Sequence, residues 1–145
     1  MRLVLQRVTR AGVTIDGSVV GAIDRGLMVL VGIGQDDTPA VARALADRTC
    51  DLRIFRDAAG LTNLSLMDVS GEVLAISQFT LYADTRKGRR PSWNNAAPGP
   101  VAEPLVEAVV AALRGRGVEV ATGVFGADMQ VSLVNDGPVT LVVDV

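Results

Sequence analysis

The run Leu27-Met28-Val29-Leu30-Val31-Gly32-Ile33 carries no polar side chain. Neighbouring residues of a strand point to opposite faces, so this run forms a central strand only where apolar layers cover both sides. The chain must therefore build a sheet with a protected middle. On the N-terminal side, Arg2 to Val8 and Gly12 to Ile15 read as strands, and the turn signal Asp16-Gly17 returns the chain through Ser18 to Ile23 as a hairpin arm. On the C-terminal side, Thr38-Pro39 supplies a helix N-cap and a first-turn proline. Val41, Leu45, Thr49 and Leu52 follow on one face of a helix of about three turns.

Beyond the turn residues Asp57 to Gly60, the segment Glu72 to Phe79 resumes as a strand. A second helix spans Val101 to Arg116. It has Leu105, Val109, Val110 and Leu113 on one side, acidic Glu103 and Glu107 early, and basic Arg114 and Arg116 late, as the helix dipole favours. Val118 to Ala121, Met129 to Val134 and Val139 to Val143 close the chain as strands. This order predicts an α/β fold with a mixed sheet and helices outside, without the strict alternation of a doubly wound fold. With 145 residues, of which 49% are hydrophobic, a single domain over residues 1–145 is expected.

Several classes of chemistry are removed by what the chain lacks. It has no histidine, which excludes Ser-His-Asp and Cys-His arrangements and takes away the commonest zinc ligand, so no metal site is expected. Gly32-Ile33-Gly34 is followed by no third glycine at the spacing of a dinucleotide fingerprint, so no nucleotide cofactor is expected either. The lone Cys50 reads as a small buried apolar side chain in a reducing compartment. No secretory signal or bilayer-length apolar run is visible, and the expectation is a soluble cytoplasmic protein with no membrane partner. The formal net charge of −2 means that any contact with nucleic acid is local.

Two segments can carry chemistry. Ser77-Gln78-Phe79-Thr80-Leu81 lies where a strand runs out, so its amides can leave the ladder and receive the oxygen of a reacting carbonyl; surface hydroxyls alone would read the same way. Asn135-Asp136-Gly137-Pro138 breaks a strand pattern. It reads either as a tight turn or as a cis Gly137-Pro138 unit that aims two carbonyl oxygens the same way. Such oxygens can take an ammonium and crowd one side of its Cα, which makes a chirality filter from backbone. Between the two segments, Ala83 to Pro100 is a polar loop in which Arg86, Lys87, Arg89 and Arg90 form either a solvated charge run or a phosphate contact.

Met1 to Val8, Leu52-Arg53-Ile54-Phe55, Asn63-Leu64-Ser65-Leu66, Ser77 through Pro91, and Gly126-Ala127-Asp128-Met129 through Pro138 resemble the D-aminoacyl-tRNA deacylases. The resemblance implies a compact β-barrel-like α/β fold with two main helices outside, and a homodimer with two active sites at its interface. It implies catalytic roles for Ser77, Gln78, Phe79 and Thr80, and entry of Gly137 and Pro138 from one subunit into the pocket of the other, braced by Arg7. It further implies hydrolysis of tRNA acceptor ends carrying a D-amino acid or glycine. Two mechanisms fit these residues. Either Thr80 attacks the ester to give an acyl-enzyme, although its segment supplies no adjacent base, or water attacks while backbone amides near Phe79 and Thr80 hold the oxyanion. In the second, which the resemblance favours, the 2′-hydroxyl of the terminal adenosine assists. Trp93 stands where Phe is commoner in the family, and Asn94-Asn95 replaces a pattern that usually holds an acidic residue. Two other classes stay open: a non-catalytic RNA-binding module, against which the acidic balance and shortage of aromatics count, and an esterase acting on free small molecules.

Overall fold

The computed structural model describes residues 1–144. Its strands are β1 (Arg2–Ile15), β2 (Ser18–Ile23), β3 (Gly26–Gly32), β4 (Phe55–Arg56), β5 (Thr62–Leu64), β6 (Glu72–Ser77), β7 (Val120–Thr122) and β8 (Gln130–Asp144). The helices are α1 (Pro39–Asp51) and α2 (Gly99–Gly115), and a 3-10 turn covers Phe79–Tyr82. The main sheet runs β2-β1-β3-β6-β7, with β8 on the other edge of β1; β4 and β5 form a separate small hairpin. β3 pairs antiparallel with β1 and parallel with β6, and β6 pairs parallel with β7, so the sheet is mixed. It curls until β2 lies against β7, where Gly21 meets the Thr122 carbonyl, giving a nearly closed, barrel-like sheet.

The apolar run occupies the middle of this sheet. Leu27, Val29 and Val31 point into a core shared with both helices, whereas Met28 points into a second core with Val8, Val13, Leu74 and Ile76 inside the curl. Period-two alternation thus feeds two cores from one strand. The helix-side core receives Leu45, Ala46 and Cys50 of α1 and Leu105, Val109 and Leu113 of α2. Thr38 caps α1 by accepting from the Val41 amide, and Pro39 occupies its first turn. Arg116, just past α2, pairs with Asp47 and Asp51 of α1 and ties the two helices together.

Three elements differ from the sequence reading. The two N-terminal strands are one strand, because Thr9 is an extra residue between the pairs Val8↔Asn135 and Arg10↔Val134. That bulge switches β1 from placing Leu3 and Leu5 in the helix-side core to placing Ala11 and Val13 in the other, and the switch made the apolar pattern look interrupted. The strand expected to reach Phe79 stops at Ser77 and gives way to the 3-10 turn. Asn135 to Pro138 does not end a strand either: β8 continues through it as a large bulge.

Candidate active site

Strands β3 and β6 run parallel and end together, with Val31 opposite Ser77. The Gln78 amide still donates to the Val31 carbonyl at 2.8 Å. The chain then leaves the sheet and tightens into the 3-10 turn, in which Leu81 donates to the Gln78 carbonyl at 3.2 Å and Ala83 to that of Thr80 at 3.0 Å. The first amides of any helical turn lack an internal acceptor. Among the described residues, the amides of Phe79 and Thr80 have no hydrogen-bond acceptor.

Phe79, with Ser77 and Gln78 before it, lines a cavity of about 370 Å³, within the range of about 300–1,000 Å³ common for small-molecule sites. Its walls come from the ends of β3 and β6, the start of α2 and the segment after β7: Ile33, Ser77, Phe79, Ala102 and Phe125 among them. A neighbouring cavity of about 660 Å³ shares Ser77, Val106 and Phe125 with it and is walled further along by α2. Lying beyond the carboxyl ends of parallel strands, the site has the placement general to open α/β sheets. The chain has five aromatic residues, and Phe79, Trp93 and Phe125 all line the smaller cavity. Phe79 is 55% exposed and meets Trp93 edge to face at 5.3 Å.

The titratable side chains nearby offer no activated nucleophile. The Thr80 hydroxyl accepts a hydrogen bond from the Gln78 side-chain amide, and among the described residues no carboxylate or lysine is paired with it. Burial pushes the Cys50 thiol up, and it sits in the helix-side core. Among the described residues, no cluster of three or more His, Cys, Asp or Glu side chains could hold a metal ion.

The second segment lies elsewhere. Val8 pairs with Asn135 and Gln6 with Thr140, so Asp136, Gly137, Pro138 and Val139 all stand opposite the single residue Arg7. The Gly137–Pro138 peptide is cis, and both residues are exposed at the tip of this bulge. Its base is pinned. The Asn135 side chain donates to the Thr140 hydroxyl at 2.8 Å and accepts from the Val139 amide at 3.1 Å. Arg7, only 2% exposed, donates from Nε to the Asp136 carbonyl at 3.1 Å and pairs with its carboxylate at 3.0 Å. From Nη1 it donates to the buried Ile54 carbonyl at 2.6 Å.

Arg7 pairs with Leu27 of β3, four residues before Val31, so bulge and pocket are separated by roughly 13 Å along the strand. Within the chain Ser77 to Thr80 come together and Gly137, Pro138 and Arg7 come together, but the two groups do not meet. The basic loop is folded back on itself by a bridge between Asp84 and Ser92. Arg86 spends its guanidinium on Asp84, with contacts of 2.9 and 2.6 Å, and this holds the carboxyl well below the usual carboxylate range. Lys87, Arg89 and Arg90 are exposed and have no acidic partner among the described residues.

A family model described as D-Tyr-tRNA(Tyr) deacylase matches residues 4–144. The chain belongs to this family. It is 58% identical over 144 residues to a D-aminoacyl-tRNA deacylase of Roseiflexus castenholzii, covering 99% of this chain and 92% of that protein. It is 60% identical over 144 residues to one of Chloroflexus aurantiacus, covering 99% and 90% respectively. Among solved structures, a c-Myc DNA unwinding element binding protein superposes with a TM-score of 0.94 at 40% identity, covering 100% of this chain and 99% of that one. A probable eukaryotic D-amino acid tRNA deacylase shares the fold with a TM-score of 0.86 at 19% identity, covering 99% and 98%.

Sequence reasoning on this deacylase-family chain missed Ile33, Ala102, Val106 and Phe125 as cavity walls. Only Phe125 left a trace, as one of very few aromatics set in an irregular Gly-rich stretch between strands. Asn135, in a segment whose sequence fits either a tight turn or a cis Gly-Pro unit, serves as the clasp of the bulge.

Proposed function

We propose that this chain hydrolyses the ester bond of D-aminoacyl-tRNA, releasing the amino acid and free tRNA. The observation that carries this reading is the pair of acceptor-less amides, Phe79 and Thr80, in the turn whose Phe79 lines a cavity sized for the terminal residue of a substrate. In a family of deacylases, such amides serve the oxyanion that forms when an ester carbonyl is attacked. A hydroxyl without a base is a poor nucleophile, which weighs against covalent attack by Thr80. Water attacks instead, and the vicinal 2′-hydroxyl of the terminal adenosine, held beside the ester by the substrate itself, assists it.

Handedness is read by the Gly137–Pro138 bulge. Its tip is exposed, its base is locked by Arg7 and Asn135, and it stands too far from its own pocket to reach it. A twin subunit delivers it. In the resulting homodimer the carbonyl oxygens of one subunit's bulge receive the substrate ammonium in the other's pocket, and a side chain in the L position meets backbone. Glycine, with no side chain, passes the same gate. The exposed cations Lys87, Arg89 and Arg90 then lie free for the phosphates of the acceptor end.

One assay tests the reading: single-turnover deacylation of matched D-Tyr-tRNA, L-Tyr-tRNA and Gly-tRNA, with a 2′-deoxy terminal adenosine and the Thr80→Val enzyme as added arms. D-Tyr-tRNA is expected to be cleaved, Gly-tRNA comparably or more slowly, and L-Tyr-tRNA spared. The deoxy substrate should be slow and Thr80→Val active. Equal rates for the two tyrosine enantiomers would reject the gate, and loss of turnover confined to Thr80→Val would restore the covalent route.

A further inference from the structure

The 3-10 turn that presents the Phe79 and Thr80 amides is four residues long, and turns of this kind hold poorly on their own. Its seat lies outside the segment. On one side it rests on bare backbone at the end of β3. A Cβ on Gly32 would stand 3.0 Å from Leu81 Cβ and 3.2 Å from the Gln78 carbonyl oxygen, and one on Gly34 would stand 3.0 Å from the Tyr82 ring. On the other side Arg2 reaches the turn's C-terminal end. Arg2 donates from Nη1 to the Leu81 carbonyl at 2.9 Å, and its guanidinium lies 5.5 Å from the centre of the Tyr82 ring. The remaining edge of the guanidinium donates to the Asp144 carboxylate from Nε at 2.8 Å and Nη2 at 3.2 Å.

This arrangement spends all three nitrogens of a rigid fork on two elements that are far apart in sequence, and the Tyr82 ring beside it adds a cation–π contact. The pair is half exposed, and such ion pairs contribute little to folding. Its distinctive partner is the turn. We propose that Arg2 is a positioning residue for deacylation: it fixes the C-terminal end of the Phe79–Tyr82 turn, with Asp144 orienting the guanidinium, so that the turn's free amides stay aimed at the oxyanion. Arg2 lines neither cavity. The inference rests on the deacylase reading above.

The test compares wild type with Arg2→Met, Arg2→Lys and Asp144→Asn, with Arg116→Met as a control that breaks a similar surface pair at the far ends of the helices. Single-turnover deacylation of D-Tyr-tRNA, affinity for uncharged tRNA and thermal midpoint are measured on each. Arg2→Met should slow the chemical step on the order of 10- to 100-fold, as a small misplacement of a catalytic group does, with tRNA affinity and midpoint close to wild type. Arg2→Lys should recover part of the rate, since an ammonium reaches Leu81 or Asp144 without the fork; Asp144→Asn should fall between, and Arg116→Met should match wild type. An Arg2→Met rate within about twofold of wild type overturns the proposal, as does a rate loss no larger than the loss of folded protein. If Arg2→Met fails to fold, a full rate in Asp144→Asn overturns it alone. A wild-type enzyme inactive on D-Tyr-tRNA would strike the deacylase reading itself, which separates the two failures.

Discussion

A buried arginine must find acceptors, and Arg7 finds one inside the bulge, the Asp136 carbonyl, and one outside it, the Ile54 carbonyl just before β4. Its replacement by Met fills much of the same space but leaves the Ile54 carbonyl without its donor, at a cost of about 1–3 kcal/mol in stability. Functionally, the bulge loses its brace. Arg7→Met is therefore expected to keep hydrolysing D-Tyr-tRNA while beginning to cleave L-Tyr-tRNA, and the ratio of the two single-turnover rates is the quantity to measure. A uniform fall in both rates would reduce Arg7 to a folding role. The sequence marked Arg7 only through family resemblance, because a single charge on a strand reads the same whether it faces solvent or an acceptor. Nothing in the sequence singled out Arg2, whose partners Leu81 and Asp144 lie 79 and 142 residues away.

At the scale of elements, legibility followed the regularity of the pattern. β3 was readable because both of its faces are apolar without exception, and α2 because Leu105, Val109, Val110 and Leu113 fall on one face and are all buried. Thr9 and the Asp136–Val139 bulge were not, since an inserted residue shifts the phase of a strand without ending it, and a period-two reading takes a shift for a break. The cavity walls were also hidden: Ile33, Ala102 and Phe125 belong to three elements that only the folded sheet brings together. The basic loop is a case where composition overstated the case. Because Arg86 is committed to Asp84, a clamp that persists until the pH falls below the ordinary carboxylate range, the loop's free cations are Lys87, Arg89 and Arg90. Replacing Arg89 and Arg90 by Ala should flatten the log–log salt dependence of tRNA binding by roughly 1 to 2, whereas the paired change Asp84→Asn with Arg86→Met should leave it near wild type. Filter binding across a salt series decides; equal slopes for all three proteins would remove phosphate contact from this loop.

The whole molecule has its two candidate groups of residues at different places on one chain, the amide turn beyond Ser77 and the locked bulge at Gly137–Pro138, with roughly 13 Å of strand between them. On the proposed reading, a gate that cannot reach its own pocket serves another copy's. Mixed dimers make that claim measurable. One subunit carries Arg7→Met, with an open pocket and a loosened gate; the other carries Ser77→Phe, with a blocked pocket and an intact gate. The two are tagged differently, co-expressed and purified as the mixed species. The only working pocket then belongs to the Arg7→Met subunit. If the gate comes from the partner, the mixed dimer should cleave D-Tyr-tRNA and spare L-Tyr-tRNA, unlike the Arg7→Met homodimer. If the mixed dimer cleaves both enantiomers as the Arg7→Met homodimer does, each pocket is guarded from within its own chain and the account is wrong.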